Sequence, residues 1–405
     1  YYFSILSVLI LFLTPCIFSN SFYNSKDIIF LSFSIISIYY AVKFIENNNI
    51  KNLIFFSIFS GLMINARIFG LLLVLSFYFV YLFHGKIELK SFLKKIFFIF
   101  FSFFIILAVC FLFWPFLWFD FLNNIQVYKN YITTDLVEVN ITNLYFGKIY
   151  QDSNLPLHFL PVWILITTPI SVLLLSIIGY YKIFISFLNN LDVIEKTNQL
   201  YKNKKELLDF FIFIFFSSSF LFGLFSNYMH GSWRYFYFIY PMIIYFGIYS
   251  LNLIKEKNIK IFYICLVFII FNLFTNVIWM TKNHPFQNVF FNSIQKKLIK
   301  KNFELDYWGN SDVYMLKYIL KYNDKNNIKV SSTGYSWIKG SFEILSSAEK
   351  SRLIATDVYK SDFVIVRNSP PYSNLKLETY IKKNFNKYFE LIIDGNIINS
   401  IYKRN

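Results

Sequence analysis

The sequence predicts a mainly α protein: a polytopic transmembrane helical bundle of about nine spans with a small C-terminal α/β extracytoplasmic domain. Three observations carry this. Of 405 residues, 56% are hydrophobic and only 15% charged, whereas a soluble domain is about a quarter charged. The apolar residues are bunched: runs of about 17 to 25 recur between short polar breaks, and one such run is long enough to cross the hydrocarbon as a helix. After about residue 281 the character changes, and the remaining stretch carries 20 basic and 11 acidic residues.

The apolar runs fall near 3–20, 28–44, 52–66, 68–83, 93–114, 158–178, 209–226, 235–253 and 261–280. Lipid offers the backbone no hydrogen-bond partner, so each run must be helical. The two runs at 52–66 and 68–83 are read as short helices turning at Arg67, because one helix across both would be too long and would hold a guanidinium at mid-membrane. The loops 43–51, 84–95, 180–208 and 254–260 then fall on one side. They carry fourteen basic residues, among them Lys86 and Lys202, against five on the other side: Lys26, Arg67, Lys129, Lys148 and Arg234. The excess marks the first side as cytoplasmic. The expected location is the bacterial inner (cell) membrane, with the C-terminal domain periplasmic.

The expected domains are 1–280, the membrane region, and 281–405. In the second, Ser311 to Tyr322 has helical spacing of Val, Met, Leu and Ile. Asn327–Ser332, Asp362–Arg367 and Tyr388–Tyr402 read as strands, the last with a turn at Asp394-Gly395.

The net charge of +16 is spread over loops and tail and forms no single stripe, so no nucleic-acid partner is expected. Cys16, Cys110 and Cys265 all lie in apolar runs and imply no disulfide or metal framework. The chain begins Tyr-Tyr inside an apolar run with no basic segment ahead of it. It is expected to be a fragment without its N-terminus, not a signal peptide.

Polar groups gather at membrane ends on the non-cytoplasmic side. Ser25-Lys26-Asp27 opens the second span, Arg67 sits at its turn, Trp114 to Asp120 leaves the fifth span, Leu155 to Pro161 with His158 enters the sixth, and His230-Gly231-Ser232-Trp233-Arg234 enters the eighth. Each has a plain reading. Trp114 and Trp118 suit an interfacial aromatic belt, Pro156 and Pro161 shape the entry into a helix, His158 is a satisfied interfacial histidine, Lys26 reaches for headgroups, and Asp27 pairs with Lys26. Arg67 and Arg234 differ, because arginines at a membrane edge are costly and usually have a partner. Their planar forks of donors suit a phosphate. The residues alone thus point to an outward-facing site for an anionic lipid headgroup, in an enzyme, a flippase or a channel.

Several stretches resemble the polytopic glycosyltransferases of the C-type fold that use polyprenyl-phosphate sugars, namely the protein O-mannosyltransferases, aminoarabinose transferases and other family-39-like enzymes. Thr14-Pro15 with Asn20 to Phe30 is similar to their Pro-then-Asn-x-Lys-Asp segment. Gly61 to Gly70 resembles their Gly-rich helix ending in Arg or Lys. Leu155 to Trp163 with Thr167-Thr168-Pro169, and Trp233 to Pro241, resemble two later spans. In the tail, His284 to Asn292 and Phe303 to Gly309, with Glu304 and Asp306, match a subset of them.

The resemblance implies a polyprenyl-phosphate sugar donor, a hydroxyl acceptor on lipid A, a glycan or a protein, and transfer on the periplasmic face, usually with inversion. It implies Arg67, Arg234 and Lys26 at the donor phosphate, and Asp27 as a secondary catalytic acid. His158, His230, Trp233, Glu304 and Asp306 become candidates for the substrate cleft. The family's principal base lies in a loop after a first span that would precede Tyr1, so this fragment alone is expected to be inactive. Some relatives use a divalent cation. Here Asp27 has no second acid at ligand spacing, and His84, His158, His230 and His284 are too scattered for a zinc motif. The other classes weighed are a lipid-linked glycan transporter or flippase, which needs polar residues along a path where this chain has Phe, Ile and Leu, and a non-catalytic membrane assembly partner.

Overall fold

The structure is a computed structural model that describes residues 1–83, 89–131, 142–197, 201, 204–226, 229–292, 299, 302–333, 335–367 and 375–405. His84, Lys86 and Lys202 lie outside the described residues. The chain divides into two compact units. The first comprises Tyr1–Val139, Leu160–Ser226 and Trp233–Val277; the second comprises Asn140–Phe159, Asn227–Ser232 and Ile278–Asn405. Two short segments expected within the membrane region therefore group with the C-terminal residues.

The first unit is helical. Helix α1 (Tyr2–Phe12) and α2 (Pro15–Tyr23) meet at a 64° bend, so the run expected as one span over 3–20 is broken. The break has a local cause. Pro15 has no N–H to give and holds Thr14 extended, at φ −88° and ψ 110°. The Thr14 hydroxyl donates to the Ile10 carbonyl at 2.7 Å. Next come α3 (Ser25–Asn47), α4 (Ile50–Ala66), a 3₁₀ turn at Ile68–Gly70, α5 (Leu71–Leu82), α6 (Leu89–Leu112) and α7 (Phe121–Asn130).

The run expected over 158–178 is also divided, into α8 (Phe159–Thr167) and α9 (Ile170–Thr197), at Thr168-Pro169. Helix α10 (Lys204–Phe225) precedes a 3₁₀ turn at Arg234–Ile239, which runs into α11 (Tyr240–Lys257). Helix α12 (Ile259–Lys282) follows. Six of the described helices are long and apolar enough to cross a membrane, or seven if the bent pair counts as one span, while 50–66 and 68–82 are shorter apolar helices.

Small residues bring these helices close, as they must where no hydrophobic drive operates between segments in lipid. On α4, Ser57, Gly61 and Asn65 recur every fourth residue. Ser57 and Ser102 share a hydrogen bond of 2.8 Å, and Asn65 Nδ2 donates to the Val109 carbonyl at 3.3 Å. A Cβ on Gly61 would stand 2.8 Å from that of Val109. This seam fixes the end of α4 from which Arg67 emerges. A second seam holds the start of α11, where Ser176 Oγ donates to the Ile243 carbonyl at 2.6 Å and a Cβ on Gly179 would collide with the Phe246 carbonyl.

The second unit carries two sheets. A hairpin of β1 (Thr142–Tyr145) and β2 (Lys148–Gln151) was not anticipated from sequence. The larger sheet has five strands in the order β4-β3-β5-β7-β6. They are β3 (Ile328–Ser332), β4 (Leu353–Ala355), β5 (Phe363–Arg367), β6 (Phe385–Ile393) and β7 (Asn396–Arg404). The first three pair in parallel and the last two antiparallel. The β6–β7 turn is at Asp394-Gly395, both at positive φ (49° and 77°), as a tight two-residue hairpin requires.

Helix α13 (Asn310–Lys321) covers one face of this sheet through Met315, Leu316 and Ile319, which pack with Val330, Ile365 and Ile401. Between β3 and β4 lie α14 (Tyr335–Ile344) and the short α15 (Ser347–Lys350). Helix α16 (Leu375–Asn384) serves the opposite face, where Ile381 packs with Val358, Val364 and Phe385.

Candidate functional site

Three charged side chains singled out in the sequence converge inside the first unit. Asp27 stands in the first turn of α3, where exposed backbone N–H groups favour a carboxylate. Asn24 caps that helix. Its Oδ1 accepts from the Asp27 N–H at 3.3 Å, and its Nδ2 donates to Asp27 Oδ2 at 2.8 Å. Arg67 ends α4 in an extended conformation, with its N–H still bonded to the Met63 carbonyl at 3.0 Å. Its Nε donates to Asp27 Oδ1 at 2.5 Å, and its Nη2 pairs with the same oxygen. From the 3₁₀ turn, Arg234 Nη1 donates to Asp27 Oδ2 at 3.3 Å.

Both oxygens of one carboxylate are therefore occupied, each by a different guanidinium. The Asp27 side chain is 1% exposed, that of Arg67 11% and that of Arg234 9%. The arginines keep a narrow opening to the surroundings while the carboxylate has none. The Tyr235 ring serves both cations, with Arg67 Cζ 4.0 Å and Arg234 Cζ 4.6 Å from its centroid, within cation–π range. Arg234 Nη2 also donates to the Tyr235 hydroxyl at 3.2 Å. Behind them, Asn20 Oδ1 accepts from Asn24 Nδ2 at 3.0 Å, and Asn20 Nδ2 donates to the Cys16 carbonyl and the Tyr237 hydroxyl.

Lys26 is exposed beside this group, within electrostatic reach of both arginines and of Asp27, and makes no ion pair among the described residues. The plain expectation that Asp27 pairs with Lys26 is thus replaced by pairing with Arg67 and Arg234. Trp233 is fully buried, its Nε1 donating to Thr167 Oγ1 at 2.8 Å, and its ring meets Tyr237 edge-on at 4.9 Å. It anchors the 3₁₀ turn that presents Arg234.

The other candidates belong to the second unit. His158 is exposed, with its ring 5.5 Å from that of Tyr145, whose hydroxyl donates to the His158 carbonyl at 3.2 Å. The His230 ring lies 5.7 Å from Tyr307. Glu304 is half-buried. Asp306 is buried and serves the start of α13, accepting from Asn310 N at 3.1 Å, Ser311 N at 2.9 Å and Ser311 Oγ at 2.5 Å. In this structure it caps a helix.

Sequence reasoning did not single out Asn20, Asn24 or Tyr235. Two asparagines one helical turn apart, just ahead of Lys26 and Asp27, were the available signal for the first two. Nor did it find the second unit's own ion pair. Arg367, at the end of β5, donates Nη2 to Asp312 Oδ2 at 2.6 Å and Nε to the same carboxylate at 3.2 Å. Asn399 Nδ2 donates to Asp312 Oδ1 at 2.9 Å. Burial pushes the Asp312 carboxyl up from its ordinary value, against the opposing pull of Arg367.

Among the described residues, no group of three or more His, Cys, Asp and Glu side chains is placed to hold a metal ion. The Asp27–Arg67–Arg234 trio carries a net charge of +1, and Lys26 adds to it. Such a group, with two partly exposed guanidiniums, is suited to an anion.

Residues 3–114 match the family of dolichyl-phosphate-mannose-protein mannosyltransferases. The match takes in Asp27 and Arg67 and stops short of Arg234. It supports a multi-pass membrane glycosyltransferase of mannosyltransferase type. No curated protein and no solved structure matches the chain.

Proposed function

We propose that the chain acts in moving a sugar from a polyprenyl-phosphate donor to a hydroxyl acceptor, with Arg67 and Arg234 gripping the donor phosphate and Lys26 adding charge at its edge. The carrying observation is that two nearly buried guanidiniums share one carboxylate. The acceptor oxygen attacks the anomeric carbon, the bond from that carbon to the phosphate oxygen breaks, and the electron pair leaves with the phosphate. A proton passes from the acceptor to a base. A phosphodiester becomes a phosphomonoester, so negative charge grows where the arginines stand. Fixed cations in a site of low dielectric stabilise this transition state more than the ground state.

Asp27 is a positioning residue in this scheme. Its two oxygens already accept four donors from Arg67, Arg234 and Asn24. Taking a proton would break that set, so the acceptor's base is a different group. The Tyr235 ring lies within cation–π range of both guanidiniums, and Asp27 binds both, so the two cations are held at one place where a phosphate can meet them. The proposal places this chemistry at the outer, periplasmic face of a bacterial cell membrane, in keeping with the charge asymmetry of the loops.

The test is binding of geranyl phosphate, a short polyprenyl phosphate, to the full chain in detergent. Arg67→Ala and Arg234→Ala should each weaken it by about 10- to 100-fold, the loss of a charged hydrogen bond of about 1.5–3 kcal/mol. Arg67→Lys should recover only part, since an ammonium is not a planar fork. Geraniol, without the phosphate, should bind all forms alike. Unchanged affinity for geranyl phosphate in both alanine variants would remove the clamp assignment.

A further inference from the structure

We infer that α7, Phe121–Asn130, lies in the plane of the membrane interface with one face in the lipid, independently of any transferase activity. The argument starts on α6. Its exposed residues Phe97, Phe100, Phe104, Leu107 and Phe111 are spaced three and four apart, which sets them in one stripe along the helix. A stripe of this length on a helix long and apolar enough to span faces acyl chains.

The stripe does not stop where α6 ends. The Phe111 ring meets Phe121 at 6.1 Å, and Trp114 meets Tyr128 edge-on at 4.6 Å. The chain between is fastened. Trp118 Nε1 donates at 2.8 Å to the Phe111 carbonyl in the last turn of α6, which also accepts the Trp114 N–H at 3.2 Å. Asn124 Nδ2 donates to the Phe116 carbonyl at 2.6 Å. These bonds fold α7 back against the end of the span.

On α7 itself, Phe121, Leu122, Ile125 and Tyr128 fall within one arc at 100° per residue, and Asn123, Gln126 and Asn130 occupy the opposite one, with Val127 the one apolar residue beside them. No residue of α7 is buried, and Leu122 is 81% exposed. A contiguous apolar face of this kind does not stay in water. Because it continues the lipid-facing stripe of α6, its occupant is the boundary of headgroups and acyl chains, and Lys129, which falls on the same arc between Ile125 and Leu122, reaches from it to anionic headgroups.

The experiment uses the full chain with Cys16, Cys110 and Cys265 replaced by Ala, in vesicles of phosphatidylethanolamine and phosphatidylglycerol. One nitroxide is placed in turn at positions 122, 125, 123 and 126. The ratio of collisions with oxygen to collisions with a water-soluble nickel chelate should be several-fold higher at 122 and 125 than at 123 and 126. Nickel dominance at all four positions would overturn the inference by placing α7 in water. Shielding of 122 and 125 from both reagents would overturn it by placing a protein surface there. On the unaltered chain, a lipid with a diazirine in its acyl chain should tag α7 as well as α6. Tagging of α6 with none on α7 would also overturn it.

Discussion

Each unit buries a carboxylate against a guanidinium, and the two clusters differ in charge and in closure. In the second unit one Arg367 meets one Asp312 through two nitrogens, with Asn399 completing the carboxylate. Their side chains are 3% and 0% exposed, and the pair is neutral. In the first unit one Asp27 serves two arginines, and both arginines keep some exposure. A neutral sealed pair fastens strands to a helix and has no use for a ligand. A cationic pair that shares one carboxylate and one aromatic ring keeps an excess positive charge and gains from an added anion. The same residue types thus build a fastener in one place and a candidate binding site in the other.

The largest effect expected from this contrast is at the fastener. Arg367→Ala leaves a sealed carboxylate without its guanidinium, a change that costs about 3–5 kcal/mol. Backbone amides of β5 and β7 should then exchange with deuterium far faster, while α3 and α4 keep their protection. Wild-type protection of both strands would show that the pair holds nothing.

Asp27→Asn should cost less, about 1–3 kcal/mol, and respond differently to ligand. The variant loses the negative charge that both cations share, and a phosphate can replace it. Geranyl phosphate should therefore raise the Tm of Asp27→Asn by more than that of the unaltered protein, whereas Asp312→Asn should gain no more than the unaltered protein does. Equal gains in Asp27→Asn and the unaltered protein would erase the distinction between the clusters.

Much of this architecture is legible in the sequence, and the parts that are not have physical reasons. Apolar runs disclose helices because lipid leaves the backbone no other choice. They do not disclose breaks, since the run over 3–20 stays apolar across Thr14-Pro15 and only the missing N–H of Pro15 bends it. The β6–β7 hairpin announces itself by alternation and Asp394-Gly395, but β4 has three residues, too few to show a period. Helices α14 and α16 lie in the mixed-polarity tail, where short amphipathic pieces resemble loops.

At the site, the cost of an arginine at a membrane edge was enough to mark Arg67 and Arg234 for a partner. It was not enough to name that partner. Asp27 looks paired with its neighbour Lys26, yet adjacent residues on a helix point about 100° apart. The true partners are 40 and 207 positions away. The Asp312–Arg367 pair is hidden for the same reason, with 55 positions between its members.

The smallest effect separates Lys26 from the arginines it accompanies. Lys26 is exposed beside the trio, so its attraction for a phosphate acts through water and is screened by salt over a Debye length of about 8–10 Å. Lys26→Ala should weaken geranyl phosphate binding by a factor of a few in dilute buffer, and that deficit should vanish in concentrated salt. The deficit of Arg67→Ala should persist in both, because its contact is direct and largely shielded from solvent. A Lys26→Ala deficit that survived concentrated salt would make the lysine a direct ligand and extend the phosphate clamp to three cations.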